Sequence, residues 1–160
     1  MKKIARRTVT LTLNGETRTV DVSPSDILLD VLREKLGVKS PKAGCERGDC
    51  GVCTVLLDGK PVRSCLILAI EADGHEITTV EGLGKDGMTP LQQAFIERNA
   101  FQCGFCAPGI VLAATALLNE NPNPTDQEIR EALSGNLCRC TGYDSIVEAI
   151  KAASRGGRDE

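Results

Sequence analysis

Tryptophan is absent from this chain, and its other aromatics amount to one Tyr and three Phe. Large rings usually supply much of a core's buried area, so any core here rests on Val, Ile, Leu and Ala. Long apolar runs are missing too. Nothing approaches the roughly 20 residues that span a bilayer, which excludes a membrane-spanning helix. Charge of one sign is not concentrated either: the formal net charge is −3 and acidic and basic residues are interspersed. Without a basic stripe, a nucleic-acid partner is not expected. The densest basic group is Lys2-Lys3 with Arg6-Arg7, and behind it Thr8 to Asp21 alternate polar and apolar residues. That alternation lacks the apolar segment of an export signal, so the expected location is the cytoplasm. Histidine occurs once, as His75 in the polar turn Asp73-Gly74-His75-Glu76, and with no expected partner it reads as a solvated surface residue. Gly82-Leu83-Gly84 is not followed by the helix of a dinucleotide fingerprint. No residue offers itself for substrate chemistry.

Cysteine, by contrast, is plentiful, with eight in 160 residues. An even number fits disulfides in a secreted protein. A reducing cytosol favours metal or redox chemistry instead. A chain of this length makes one ordinary domain or two small ones, and small cores often need a staple such as a metal.

Periodicity divides the chain. Thr8 to Leu13 alternates as a strand, Asn14-Gly15 gives a hairpin turn, and Thr17 to Val22 runs back. Ser25 is the expected N-cap of a helix carrying Ile27, Leu28, Val31, Leu32 and Leu36, closed by Gly37. Thr54 to Leu57, Val62 to Ile70 and Ile77 to Val80 read as strands, with a tight turn at Asp58-Gly59. Glu81 to Gly87 reads as a linker. Beyond it the pattern is helical: Thr89-Pro90 opens one helix, Pro108 another, the capping box Thr125 to Glu128 a third, and Asp144 to Ala153 forms a last. The expected fold is therefore α+β, with an α+β unit over residues 1–81 and an all-α unit over 88–155.

Each half holds four cysteines. Cys45, Cys50, Cys53 and Cys65 are spaced C-x4-C-x2-C-x11-C, three thiolates in one loop and a fourth from elsewhere, the plant-type [2Fe–2S] arrangement. Two ferric ions bridged by two sulfides need two thiolates each, and Gly44, Gly48 and Gly51 free the loop to turn its N–H groups toward sulfur. Zinc sites made only of cysteine usually show two C-x2–4-C pairs instead. Cys103, Cys106, Cys138 and Cys140 are spaced C-x2-C-x31-C-x-C, which by itself fits zinc, a redox dithiol or an iron–sulfur cluster. The helix expected after Cys106 puts a positive dipole end beside its thiolate, favouring an anionic cluster or a low-pKa thiol.

The surrounding residues separate these readings. Gln102-Cys103-Gly104-Phe105-Cys106-Ala107-Pro108-Gly109, Asn136-Leu137-Cys138-Arg139-Cys140-Thr141-Gly142-Tyr143, and Gly44-Cys45 through Gly51-Val52-Cys53-Thr54-Val55 closely resemble the iron–sulfur subunit of the xanthine oxidase family of molybdenum hydroxylases. The resemblance runs from the first strand to about Ala153. Ala107 stands where Thr is usual, and Val52 where Ala is usual.

That resemblance implies a β-grasp ferredoxin domain followed by a four-helix domain, each with one [2Fe–2S] cluster. It implies that Cys45, Cys50, Cys53 and Cys65 bind the cluster distal to molybdenum, and that Cys103, Cys106, Cys138 and Cys140 bind the proximal one. Gln102 and the backbone near Cys140 would lie against the pterin. The implied partners are a large molybdopterin-binding subunit and a medium FAD-binding subunit, most often as a dimer of heterotrimers. Electrons would pass singly through the two clusters between the molybdenum centre and the flavin, and the proximal cluster would be the more buried. The alternatives are a free two-cluster ferredoxin and a zinc-stapled interaction module.

Overall fold

The computed structural model describes residues 6–84 and 87–156. Lys2, Lys3 and the middle of the expected linker, Lys85-Asp86, lie outside them. β1 (Arg7–Leu13) and β2 (Glu16–Val22) pair antiparallel as a hairpin. Its turn residues Asn14 and Gly15 have φ of 53° and 81°, the two positive values that a type I′ turn requires. Asp58 and Gly59 repeat this, at 49° and 80°, between β3 (Thr54–Leu57) and β4 (Lys60–Arg63). β5 (Glu76–Thr78) completes a mixed sheet ordered β2-β1-β5-β3-β4, in which β5 is parallel to β1 and antiparallel to β3.

One helix packs under this sheet. It begins as α1 (Leu28–Asp30) and continues as a π-helical turn over Val31–Lys35, where the Leu36 N–H donates to Val31 O at 3.0 Å. Ser25 does not cap it. The N-cap position is Ile27, without a side-chain cap, and Asp26 instead accepts from the upstream Ser23 N–H at 3.1 Å and pairs with Lys35 at 2.6 Å. Val9, Leu11, Leu28, Leu32, Val55 and Ile77 form the core between helix and sheet. The expected strand over Val62 to Ile70 is shorter. The chain leaves β4 into a 3₁₀ turn at Ser64–Leu66 and another at Ala69–Ala72. Strict alternation fails there because Ser64 and Cys65 are both buried while Leu66 is 59% exposed. That turn carries Cys65 inward.

The remaining elements are α2 (Pro90–Glu97), α3 (Ala107–Glu120), α4 (Asp126–Leu133) and α5 (Asp144–Gly156). α2 and α4 begin with capping boxes, Thr89 with Gln92 and Thr125 with Glu128, each satisfying orphan N–H groups of the first turn. Phe95, Ile110, Ala114, Ile129, Leu133, Ile146 and Ile150 are buried between these four helices. The architecture is α+β, a β-grasp ferredoxin-like half followed by a four-helix half. The two halves share surface: Leu112 and Ala116 of α3 pack on Leu56 of β3, and Val52 enters the helical core. The valine at 52 therefore adds apolar contact between the halves. Among the described residues no helix is long and apolar enough to cross a membrane.

Candidate iron–sulfur sites

The first loop is shaped by backbone turned toward sulfur. Gly48 and Gly51 have φ of 89° and 72°, values that favour glycine. The Arg47, Cys50 and Asp49 N–H groups donate to Cys45 Sγ, at 3.4 Å for Cys50, and the Cys45 thiol falls to about 6. Cys53 leads into β3 and Cys65 lies in the turn after β4, so the β3–β4 hairpin brings their sulfurs to 3.4 Å. Both are buried, and burial followed by the neighbouring Cys53 pushes Cys65 up to about 11.

In the second set, Cys103 and Cys106 precede α3, while Cys138 and Cys140 lie between α4 and α5. Cys103 and Cys140 sulfurs stand 3.7 Å apart at an exposed edge. Cys106 and Cys138 interact on the side facing the helical core. Burial pushes Cys106 up to about 12. Burial therefore works against a low-pKa thiol at the start of α3. Burial also acts against the Cys138 thiolate, but the Thr141 hydroxyl, donating at 3.2 Å, and the Cys140 and Thr141 N–H groups bring it down to about 7. Tyr143 frames this loop: its hydroxyl donates to Asn136 O at 3.0 Å and accepts from the Cys138 N–H at 2.8 Å.

Two thiolates about 2.3 Å from one tetrahedral metal stand about 3.8 Å apart, against about 2.05 Å in a disulfide. The 3.4 and 3.7 Å pairs fit a shared metal. Among the described residues no three His, Cys, Asp or Glu side chains close on a single ion. The sulfurs meet in twos, and two thiolates per iron is the donor set of a binuclear cluster.

Within this single chain the two sets differ in exposure. Cys53 and Cys65 are buried in the first set, whereas Cys103 and Cys140 are exposed in the second. The helical core covers only the Cys106 side. Gln102 lies on this same open edge, its Nε2 donating to Cys140 O at 3.1 Å, so the structure brings together the two groups that the resemblance paired. His75 is not partnerless, as its turn suggested: its Nδ1 is 2.6 Å from Asp58, whose carboxylate also accepts from the Glu76 N–H. Arg139 is exposed and in no ion pair among the described residues.

A junction between the two loops escaped the sequence reading. The Leu137 N–H donates to Cys50 O at 2.9 Å. Buried Asn136 donates from Nδ2 to Gly51 O at 3.0 Å and Thr54 Oγ1 at 3.1 Å, and Arg63 donates to Gly135 O at 2.5 Å and Thr54 Oγ1 at 2.9 Å. Backbones approach so closely that a Cβ on Gly51 would stand 2.2 Å from Gly135 O, and one on Gly109 would stand 2.4 Å from Gly51 O. The only signal in sequence was glycine at Gly109, in the first turn of an otherwise apolar helix.

As free thiols the eight should differ in reactivity, because the thiolate is the nucleophile. After iron is removed by chelation, alkylation at neutral pH is expected to modify Cys45 first and Cys65 and Cys106 last. Peptide mapping over time checks this, and equal rates would contradict the geometry.

Comparison with known proteins assigns both halves to iron–sulfur families. A family described as "2Fe-2S iron-sulfur cluster binding domain" matches residues 11–80, and one described as "[2Fe-2S] binding domain" matches residues 79–151. The small FeS subunit of nicotinate dehydrogenase from Eubacterium barkeri is 52% identical over 147 residues, covering 91% of this chain and 94% of that one. Quinoline 2-oxidoreductase from Pseudomonas putida 86 contains a chain that superimposes with a TM-score of 0.91 at 47% identity, covering 96% of both chains. The aldehyde oxidoreductase of Desulfovibrio desulfuricans ATCC 27774 matches with a TM-score of 0.91 at 47% identity, over 95% of this chain but 17% of that longer chain.

Proposed function

Since this chain belongs to the two-cluster iron–sulfur subunits of the xanthine oxidase family of molybdenum hydroxylases, we propose that it forms the electron path between a molybdopterin-binding subunit and an FAD-binding subunit. It is the electron-transfer subunit of an oxidoreductase and does no substrate chemistry itself. Each [2Fe–2S] cluster takes up and releases one electron at a time. In this reading Cys45, Cys50, Cys53 and Cys65 hold the distal cluster within residues 1–81, and Cys103, Cys106, Cys138 and Cys140 hold the proximal one within 88–155. Loop N–H groups on Cys45, Cys103 and Cys138 stabilise the thiolates as ligands. Gln102, exposed beside Cys140, faces the pterin.

The observation that carries this reading is the Leu137 N–H bond to Cys50 O. It ties the residue before Cys138 directly to a cysteine of the other set. A relay needs its stations fixed in series, because electron tunnelling weakens steeply with separation. The exposed Cys103–Cys140 edge supplies the face for the molybdopterin-binding subunit, which would cover the proximal cluster. The complex is a dimer of heterotrimers, located in the cytoplasm, where thiols stay reduced.

Anaerobic affinity purification from the native host tests this. The expected result is a large molybdopterin-binding chain and an FAD-binding chain recovered in equal stoichiometry. Recovery of this chain alone, still carrying both clusters under conditions that preserve related complexes, would favour a free two-cluster ferredoxin.

A further inference from the structure

Lys42 precedes the first cysteine loop, but its side chain turns to the second. Its backbone N–H donates to Val52 O at 3.0 Å, which fixes the residue at the root of the first loop. From there Nζ crosses the junction to Phe105, the residue between Cys103 and Cys106. It donates to Phe105 O at 3.3 Å and stands 5.3 Å from the ring centroid. Its other acceptor is Ser40 O, also at 3.3 Å. Two carbonyls and an aromatic face hold the ammonium without neutralising it, and Lys42 forms no ion pair among the described residues. Two charged side chains bear on it. Arg33, bound to Lys39 O and Pro41 O, opposes the charge, while Glu81 favours it but is occupied by Ser40 and Thr79.

A half-buried cation without a carboxylate is stabilised by negative charge nearby. The candidate anion is at hand: the Cys106 and Cys103 sulfurs favour the charged lysine, whereas burial, the largest influence, disfavours it. The Phe105 N–H in turn donates to Cys103 Sγ, so this one residue touches both the lysine and a ligand sulfur.

We propose that Lys42, supplied by the sheet half, is the counter-charge that sets the reduction potential of the cluster held by Cys103, Cys106, Cys138 and Cys140. This rests on the two-cluster reading above. One electron added to the diferric cluster converts one ferric ion to ferrous and raises the negative charge by one, with no bond made or broken. A fixed cation beside the loop favours that reduced state. Lys42 thus acts as a positioning charge, not a ligand, and links the second set's cluster to the half that carries the other one.

The test is a dithionite titration of the intact, anaerobically purified complex, with both reduced-cluster EPR signals followed against potential. Cys140→Ser identifies the signal of the second set. Lys42→Met is expected to shift that set's reduction equilibrium about tenfold toward the oxidised form, about 59 mV for a one-electron couple. The first set's signal should move much less, and Lys42→Arg should stay near the unmodified value. The proposal is overturned if Lys42→Met leaves the second potential in place, shifts both equally, or is matched by Lys42→Arg. A native complex with no second EPR signal would overturn both this proposal and the two-cluster reading. Two intact signals with an unmoved potential would overturn this proposal alone.

Discussion

Replacing Cys53 with alanine is expected to abolish one of the two EPR signals of the reduced protein, halve its iron content and leave the other signal intact. Cys53 is 2% exposed, sits 3.4 Å from Cys65 and leads directly into β3, so no flexible neighbour can offer another ligand. Changes to groups that merely support a ligand cost about 10–100-fold in metal affinity or activity. Loss of the ligand itself should therefore cost more than about 100-fold in turnover with the flavin's acceptor. Substrate added to the complex should still reduce the remaining cluster, since the second cysteine set is untouched. Cys140→Ala should give the complementary loss. If Cys53→Ala removed both signals with the fold intact, two independent sites would be untenable.

Gly51→Ala is expected to be among the most damaging single substitutions outside the cysteines. Gly51 combines a φ of 72° with a Cβ position 2.2 Å from Gly135 O and 2.9 Å from Asn136 Cα. Backbone atoms cannot swing aside as a side chain would. Overpacking costs about 1–3 kcal/mol, and left-handed backbone adds about 1–2 kcal/mol for a residue with a Cβ. The sum, about 2–5 kcal/mol, corresponds to a loss of about 4–20 °C in Tm for a chain of this size. Gly59 is the control, with a φ of 80° and nothing within 4 Å of an added Cβ. Gly59→Ala should therefore show only the backbone cost, about 1–2 kcal/mol. Thermal unfolding of the two variants decides: equal losses would mean that the close approach contributes nothing.

Much of this architecture could be read from local chemistry. Asn14-Gly15 and Asp58-Gly59 announce their turns because few other pairs tolerate two positive φ values. Thr89 announces a helix start because Pro90 follows it, and Thr125 because Glu128 stands three residues on. The first cysteine set is legible from its triplet in one loop, whereas the second, two pairs separated by 31 residues, is legible only with the residues around it. What escaped depends on distant residues. The strand expected over Val62 to Ile70 yields to a turn because Cys65 must reach Cys53. Relative exposure of the two sets is decided by which sulfurs the helical core covers. His75 finds Asp58 across adjacent strands, a partner 17 residues away. The pairing of Asn136 with Gly51 spans 85 residues, far beyond any periodicity. Likewise nothing in the sequence around Lys42 reveals that its charge is delivered to Phe105.

The junction also makes separate positions answerable to one another across generations. A Cβ on Gly51 would meet Gly135 O, one on Gly109 would meet Gly51 O and one on Gly135 would meet the Arg63 guanidinium, while Thr54 and Arg63 complete the bonds made by Asn136 and Gly135. Substitutions at these touching sites are therefore expected to have non-additive effects on stability. A chimera that joins the sheet half of one such protein to the helical half of another inherits a seam as well as two parts. Its success turns on whether these few residues travel as a set.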